Sequence, residues 1–188
     1  MTWLVVGLGN PGPTYASTRH NVGYLVADVL AARMSGSFKA HPSRRADVVE
    51  GRLAGERIVL GRARGYMNES GGPVSTLVKY YDIEPDHLVV VHDEVDLPFG
   101  GMRVKLGGGD NGHNGLRSVR QSLDSGDFFR VRLGVGRPTG RQDVRDFVLK
   151  PYSAAERKDL PVYVEEAADA VESLLSQGLD ATQGAFNR

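Results

Sequence analysis

Apolar and polar positions follow two rhythms along this chain. Trp3 to Val6 is a short apolar run that predicts a buried strand, whereas Val22 to Met34 places Val22, Leu25, Val26, Val29 and Leu30 at helical spacing. Asn21 stands where that helix would take its N-cap. ADVVEGRL and ERIVLGRA, separated by Ala54 and Gly55, predict a hairpin. Pro73 can open a helix whose Val74, Leu77, Val78 and Tyr81 share one face. HLVVVH, from His87 to His92, is apolar and β-branched enough for a central strand, and Asp93 and Glu94 follow at its end. The glycine-rich loop GGGDNGHNG, Gly107 to Gly115, leads into a helix over Leu116 to Leu123, and RVRLGVG is another strand. Leu160 to Gln177 reads as an amphipathic helix stopped by Gly178.

Strands interleaved with helices predict an α/β fold, a single domain over 1–188 with a twisted, mostly parallel or mixed central sheet flanked by helices. Ligands of such sheets collect beyond the carboxyl ends of the strands.

The absence of cysteine excludes disulfides, thiolate zinc sites and cysteine nucleophiles. MTWLVVGLGNPG has no basic leading region and only a short apolar run, so neither a signal peptide nor a membrane span is expected there, and the expected location is cytoplasmic. Net charge is zero, yet residues 100–150 carry 10 Lys+Arg against 5 Asp+Glu, and residues 151–188 carry 3 against 7. Arg103, Lys105, Arg117, Arg120, Arg130, Arg132, Arg137, Arg141, Arg145 and Lys150 are therefore candidates for an anion-binding face; an ordinary solvated surface is the alternative.

Gly7, Gly9 and Gly12 have the G-x-G-x-x-G spacing of a dinucleotide-binding turn. That turn opens a helix directly and is followed by an acidic residue after the second strand. Here Pro13, Thr14 and Tyr15 follow Gly12, the helical period resumes only near Asn21, and Asp28 falls inside the helix. No nicotinamide or flavin cofactor is expected. Asn10 in this turn either only stabilises it or projects an amide over the sheet edge.

Other polar groups occupy comparable places: His20 and Asn21, Asn68 in YMNESGG, Asp93, and His113 with Asn114. A neutral His20 can take a proton from water while Asp93 fixes its tautomer and stabilises the imidazolium. Amides of Asn10, Asn68 and Asn114 can donate to an oxyanion. Together they suit water-mediated acyl transfer. Each also has a plainer role available, Asn114 as a helix cap among them. A metal site would draw on His20, His92, Asp93, Glu94 and His113, but no H-x-H or H-E-x-x-H pair exists and strand alternation separates His92 from Asp93. A G-x-S-x-G elbow is also missing.

GLGNPGPTYASTRHNVG, GYMNESGG, HDEVDLPFGGMRVKLGGGDNGHNGLRS and RVRLGVGRP, in that order over residues 7–138, resemble the bacterial peptidyl-tRNA hydrolase family. The resemblance implies a monomer that hydrolyses the ester between peptide and tRNA without a cofactor or metal, with peptidyl-tRNA as its partner and no membrane association. It implies His20 as catalytic base, Asp93 as the group orienting it, and Asn10 as a filter for a blocked amino group. Asn68 and Asn114 are implied as binders near the ester, Tyr15 and Tyr66 as lining the cleft, Met67 and His113 as its walls. Lys105 and Arg132 are implied as the grip on the tRNA 5′-phosphate; Arg137, Arg141 and Arg145, from the basic segment itself, are candidates to extend that face. A non-catalytic RNA-binding module on the same fold is the competing function, opposed by the intact His20 and Asp93. Gly65, where the family often has Thr, and Asp110-Asn111, where it commonly has small residues, depart from the pattern.

Overall fold

Strand β1 (Trp3–Gly7) lies inside the sheet because both faces of Leu4, Val5 and Val6 find apolar cover. In the computed structural model, which describes residues 1–188, it pairs in parallel with β4 (Glu56–Ala63) and β5 (Leu88–Glu94). Beyond β5 comes β7 (Phe129–Gly134), also parallel, and then the antiparallel edge β6 (Met102–Leu106). Antiparallel β3 (Ala46–Leu53) and β2 (Lys39–Ala40) close the other side, giving the seven-stranded order β2-β3-β4-β1-β5-β7-β6. The sheet is mixed around a parallel centre, as expected. Every residue of β5 is buried, the continuous apolar character of a strand covered on both faces.

Alternation sorts the core into two layers. Val5, Val89 and Val91 pack with α1 (Val22–Arg33) and α5 (Ala154–Gln177), while Leu4, Val6, Leu88 and Val90 pack with α2 (Gly71–Tyr80) and α3 (Asn114–Leu123). The predicted hairpin joins β3 to β4, with Ala54 and Gly55 both at positive φ and Leu53 opposite Glu56, a two-residue turn whose twist matches the strands.

Several features differ from the expectations. Asn21 makes no side-chain cap on α1; its amide serves Asn10 instead. Strand β5 runs over Leu88–Glu94 rather than His87–His92, so that Asp93 and Glu94, expected at its end, are its last two residues. Helix α5 begins at Ala154 instead of Leu160, because Ser153 and Glu156 form a reciprocal capping box, and Pro161 lies inside the helix. Gly178 does end α5, but α6 (Leu179–Phe186) follows at once. β2 and α4 (Val144–Val148) have too few residues to show a period, whereas β6 alternates Met102, Val104 and Leu106 with Arg103 and Lys105, a signal that could have found it. No helix is long and apolar enough to cross a membrane.

The glycines of the first turn permit contact between β1 and α1. A Cβ on Gly23 would stand 2.5 Å from the Val91 carbonyl oxygen and 2.6 Å from that of Leu8, both backbone atoms. Gly23→Ala is therefore expected to destabilise the protein by about 1–3 kcal/mol, the usual cost of overpacking. Equilibrium denaturation measures it, and an unchanged midpoint would mean that α1 can retreat freely from the sheet.

Candidate active site

The parallel arrangement brings the carboxyl ends of β1, β4 and β5 to one sheet edge, so their loops meet although they are far apart in sequence. Asn10 follows β1 and is 6% exposed. Its backbone N–H donates to Asn21 Oδ1 at 2.8 Å, and Asn21 Nδ2 donates to its carbonyl at 2.8 Å. Asn10 Oδ1 accepts from the Met67 N–H at 2.7 Å. That donor needs an oxygen, so the Asn10 NH2 is the end left for a ligand. Asn21, a role invisible to spacing, is the clasp that holds Asn10.

Asp93 is engaged from both sides: its Oδ2 lies 2.8 Å from His20 Nδ1 and its Oδ1 lies 2.8 Å from His113 Nε2. The proton positions follow from the partners. His113 caps α3, its Nδ1 accepting from the Leu116 N–H at 3.1 Å, so its proton is on Nε2 and donates to Asp93. Asp93 can only accept, so His20 donates from Nδ1 and its Nε2 carries the lone pair. His113 is thus a second histidine on the carboxylate rather than only a wall, and it, not Asn114, is the helix cap. Asn114 occupies the first turn of α3 with its side chain free of that duty.

Burial pushes the Asp93 carboxyl up, but the charges and hydrogen bonds of His20 and His113 hold it far below the ordinary carboxylate range. Burial pushes His20 down, and the charge of Asp93 and its hydrogen bond outweigh that, leaving the imidazole above its ordinary 6.5. His92 donates from Nδ1 to the Asp93 carbonyl at 2.8 Å and packs its ring 5.0 Å from that of His113. Burial, reinforced by His113, pushes it down to about 3, so it stays neutral.

Donor atoms of His20, Asp93 and His113 come within 4.8 Å of one another, a spacing that a metal ion can use. Here each histidine nitrogen that faces the carboxylate already carries a proton shared with it. The trio is built as a hydrogen-bonded relay.

His20 opens on a cavity of about 350 Å³ lined by Asn10, Met67, Asn68, Asn114, Arg145, Val148 and Leu149. A second cavity of about 460 Å³ shares His20, Asn114, Arg145 and Val148 and continues past Asp93 and His113. Tyr15 and Tyr66 line neither; they pack edge to face with ring centroids 6.4 Å apart. Asn68 does reach the cavity despite Gly65, whose φ of +91° shows what glycine permits there.

Arg19 was silent in the sequence. It donates to the Phe147 carbonyl and to Glu156 Oε1, each at 3.2 Å, and lies 4.0 Å over the Phe147 ring. The 144–151 segment is thereby fastened to the turn that carries His20, and contributes Arg145, Val148 and Leu149 to the cavity wall.

The basic middle segment divides. Lys105, Arg130 and Arg132 line a separate cavity of about 180 Å³. Arg130 is fully buried and donates to the carbonyls of Gly108, Gly109 and Gly126, so it braces the glycine-rich loop instead of belonging to a surface face. Burial and the neighbouring Arg132 and Arg130 lower the Lys105 ammonium. Arg137 is bound to Asp96, and Arg141 is exposed. Asp110 pairs with Arg120 at 3.2 Å and accepts from the Gly112 N–H, which gives this departure a role in ordering the loop.

Comparison with known proteins agrees with the geometry. The sequence profile of a family described as "Peptidyl-tRNA hydrolase" matches residues 4–188. The peptidyl-tRNA hydrolase of Rhodococcus erythropolis is 57% identical over 97% of this chain and 96% of its own. That of Mycolicibacterium smegmatis is 58% identical over 96% of this chain and 94% of its own. The crystal structure of peptidyl-tRNA hydrolase from Acinetobacter baumannii superposes with a TM-score of 0.91 at 34% identity, covering 99% of this chain and 94% of that one. This chain belongs to the peptidyl-tRNA hydrolase family.

Proposed function

We propose that this protein hydrolyses the ester joining peptide to tRNA in peptidyl-tRNA, as a cytoplasmic monomer, with water activated by His20. The observation that carries the mechanism is the pair of hydrogen bonds on Asp93, which leaves the His20 Nε2 lone pair available. Water held at Nε2 gives it a proton while the water oxygen bonds to the ester carbon. The carbonyl oxygen becomes an oxyanion, to which the amide NH2 groups of Asn10, Asn68 and Asn114 can donate; one such donor is worth about 3 kcal/mol in other enzymes. Collapse breaks the bond to the ribose oxygen of the tRNA, which takes the proton back from His20. Peptide acid and free tRNA result, with no covalent enzyme intermediate.

Lys105 and Arg132 take the tRNA 5′-phosphate in this reading, through charge-assisted contacts that position any tRNA regardless of sequence. Tyr15 and Tyr66 offer aromatic faces to the tRNA end or the peptide, Met67 and His113 wall the cleft, and Asn10 screens for a blocked amino group. Arg145 lies in the cleft itself. Release of peptide from purified peptidyl-tRNA tests the proposal directly, and tRNA binding without release would favour the non-catalytic RNA-binding module.

The pH dependence follows from the raised His20. Below its midpoint His20 is protonated and cannot accept, so kcat/KM is expected to rise with pH through a midpoint above 6.5. A pH-rate profile with its acid limb centred below 6.5 would show that Asp93 does not raise the base.

A further inference from the structure

Glu94 and Asn111 stand between two cavities. Both residues line the one that contains His20, Asp93 and His113 and also the one that contains Lys105, Arg130 and Arg132. Glu94 is 4% exposed and divides its oxygens between the two sides. Its Oε1 accepts from Arg132 Nη2 at 2.7 Å and Nε at 3.2 Å. Its Oε2 accepts from Asn111 Nδ2 at 3.0 Å and from the Asp96 N–H at 3.2 Å. The Asn111 amide also reaches Asp96 Oδ2 at 2.6 Å, and two residues later the same loop supplies His113 to Asp93.

A buried carboxylate is costly unless its charge and lone pairs are satisfied. Glu94 therefore constrains both neighbours: loss of either contact leaves it short of a donor. On the reading that Lys105 and Arg132 take the terminal phosphate, we propose that Glu94 and Asn111 are positioning residues that transmit occupancy of the phosphate cradle to the loop carrying His113. A phosphate arriving beside Glu94 draws on Arg132 and places negative charge near the carboxylate. The carboxylate then depends more on the Asn111 amide, which tightens the loop holding His113 against Asp93. Glu94 is adjacent to Asp93 on the same strand, so nothing mobile intervenes on that side.

The test compares peptidyl-tRNA with and without its 5′-phosphate, measuring kcat and KM for the wild type, Asn111→Gly and Glu94→Gln. Asn111 has φ +52°, which glycine adopts without strain, so Asn111→Gly removes the amide alone. The wild type is expected to gain from the phosphate in KM and also by about fivefold or more in kcat, the lower end of ordinary coupling between sites. Asn111→Gly should keep the KM advantage and lose the kcat advantage. Glu94→Gln, which removes the charge that the phosphate acts on while leaving Lys105 and Arg132 in the cradle, should keep a KM advantage and lose the kcat advantage. An undiminished kcat advantage in Asn111→Gly, or equal slowing of both substrates as a merely structural role would give, overturns the inference. Failure of the wild type to release peptide from either substrate would instead overturn the proposed function.

Discussion

Replacing His20 with Ala is expected to lower kcat for peptidyl-tRNA by about 10²–10⁴-fold, the usual contribution of a positioned general base. His20 is where the hydrogen-bonded relay meets the cavity: its Nδ1 is spent on Asp93 and its other nitrogen is the base available beside Asn10 and Asn114. The other two histidines near Asp93 are poor substitutes. His113 has both nitrogens committed, and His92 is fully buried with its Nδ1 on the Asp93 carbonyl. KM should change little, because the amides and the cradle remain. The fold should persist, since His113 still pairs with Asp93. Single-turnover peptide release measures the effect, and a rate within threefold of wild type would place water activation elsewhere.

Asp93→Asn is expected to be about as damaging, again on the order of 10²–10⁴-fold in kcat, through the wrong tautomer instead of a missing base. Asparagine offers one acceptor and one donor where two histidine N–H groups converge. His113 cannot change, because its Nδ1 accepts from the Leu116 N–H, so the amide oxygen must face His113. The new NH2 then faces His20 Nδ1 and forces the His20 proton onto Nε2, the atom that should receive one. Without the Asp93 charge, burial also carries the His20 pKa downward, so the acid limb of the rate profile should move to lower pH as the rate falls. Nitrogen NMR of the imidazoles reads the tautomer independently. Wild-type tautomers in this variant, or an unmoved limb, would contradict the relay.

Both expectations rest on residues that were visible in the sequence, as was the tautomeric role of Asp93; the part His113 plays in the second was not. His20 and Asp93 were legible as an acid–base pair because their residue types and strand-end positions suit it, and the ordered motifs supported that pairing. The tautomer of His113 depends on the Leu116 N–H, a contact three residues beyond it that exists only once α3 begins at Asn114. Asn10 was ambiguous between turn stabiliser and donor. Its orientation is settled by Met67, 57 residues away, and by the clasp of Asn21.

Local pattern was sufficient wherever burial is repetitive. The apolar run of β5, the period of α1 and the Ala54-Gly55 turn each state their own conformation, because backbone geometry and side-chain alternation act over a few neighbouring residues. The sequence by itself therefore determined the α/β class, the long elements and the chemistry of the polar groups at the strand ends. Tertiary structure alone decided which of those groups share a partner. It made Arg130 a buried brace instead of a surface charge, gave Asp93 two histidines, fastened the 144–151 segment to Arg19, and put Glu94 between two cavities. These outcomes arise from hydrogen bonds between residues distant in sequence, where burial favours polar groups that find partners and only the folded chain determines which partner lies within reach.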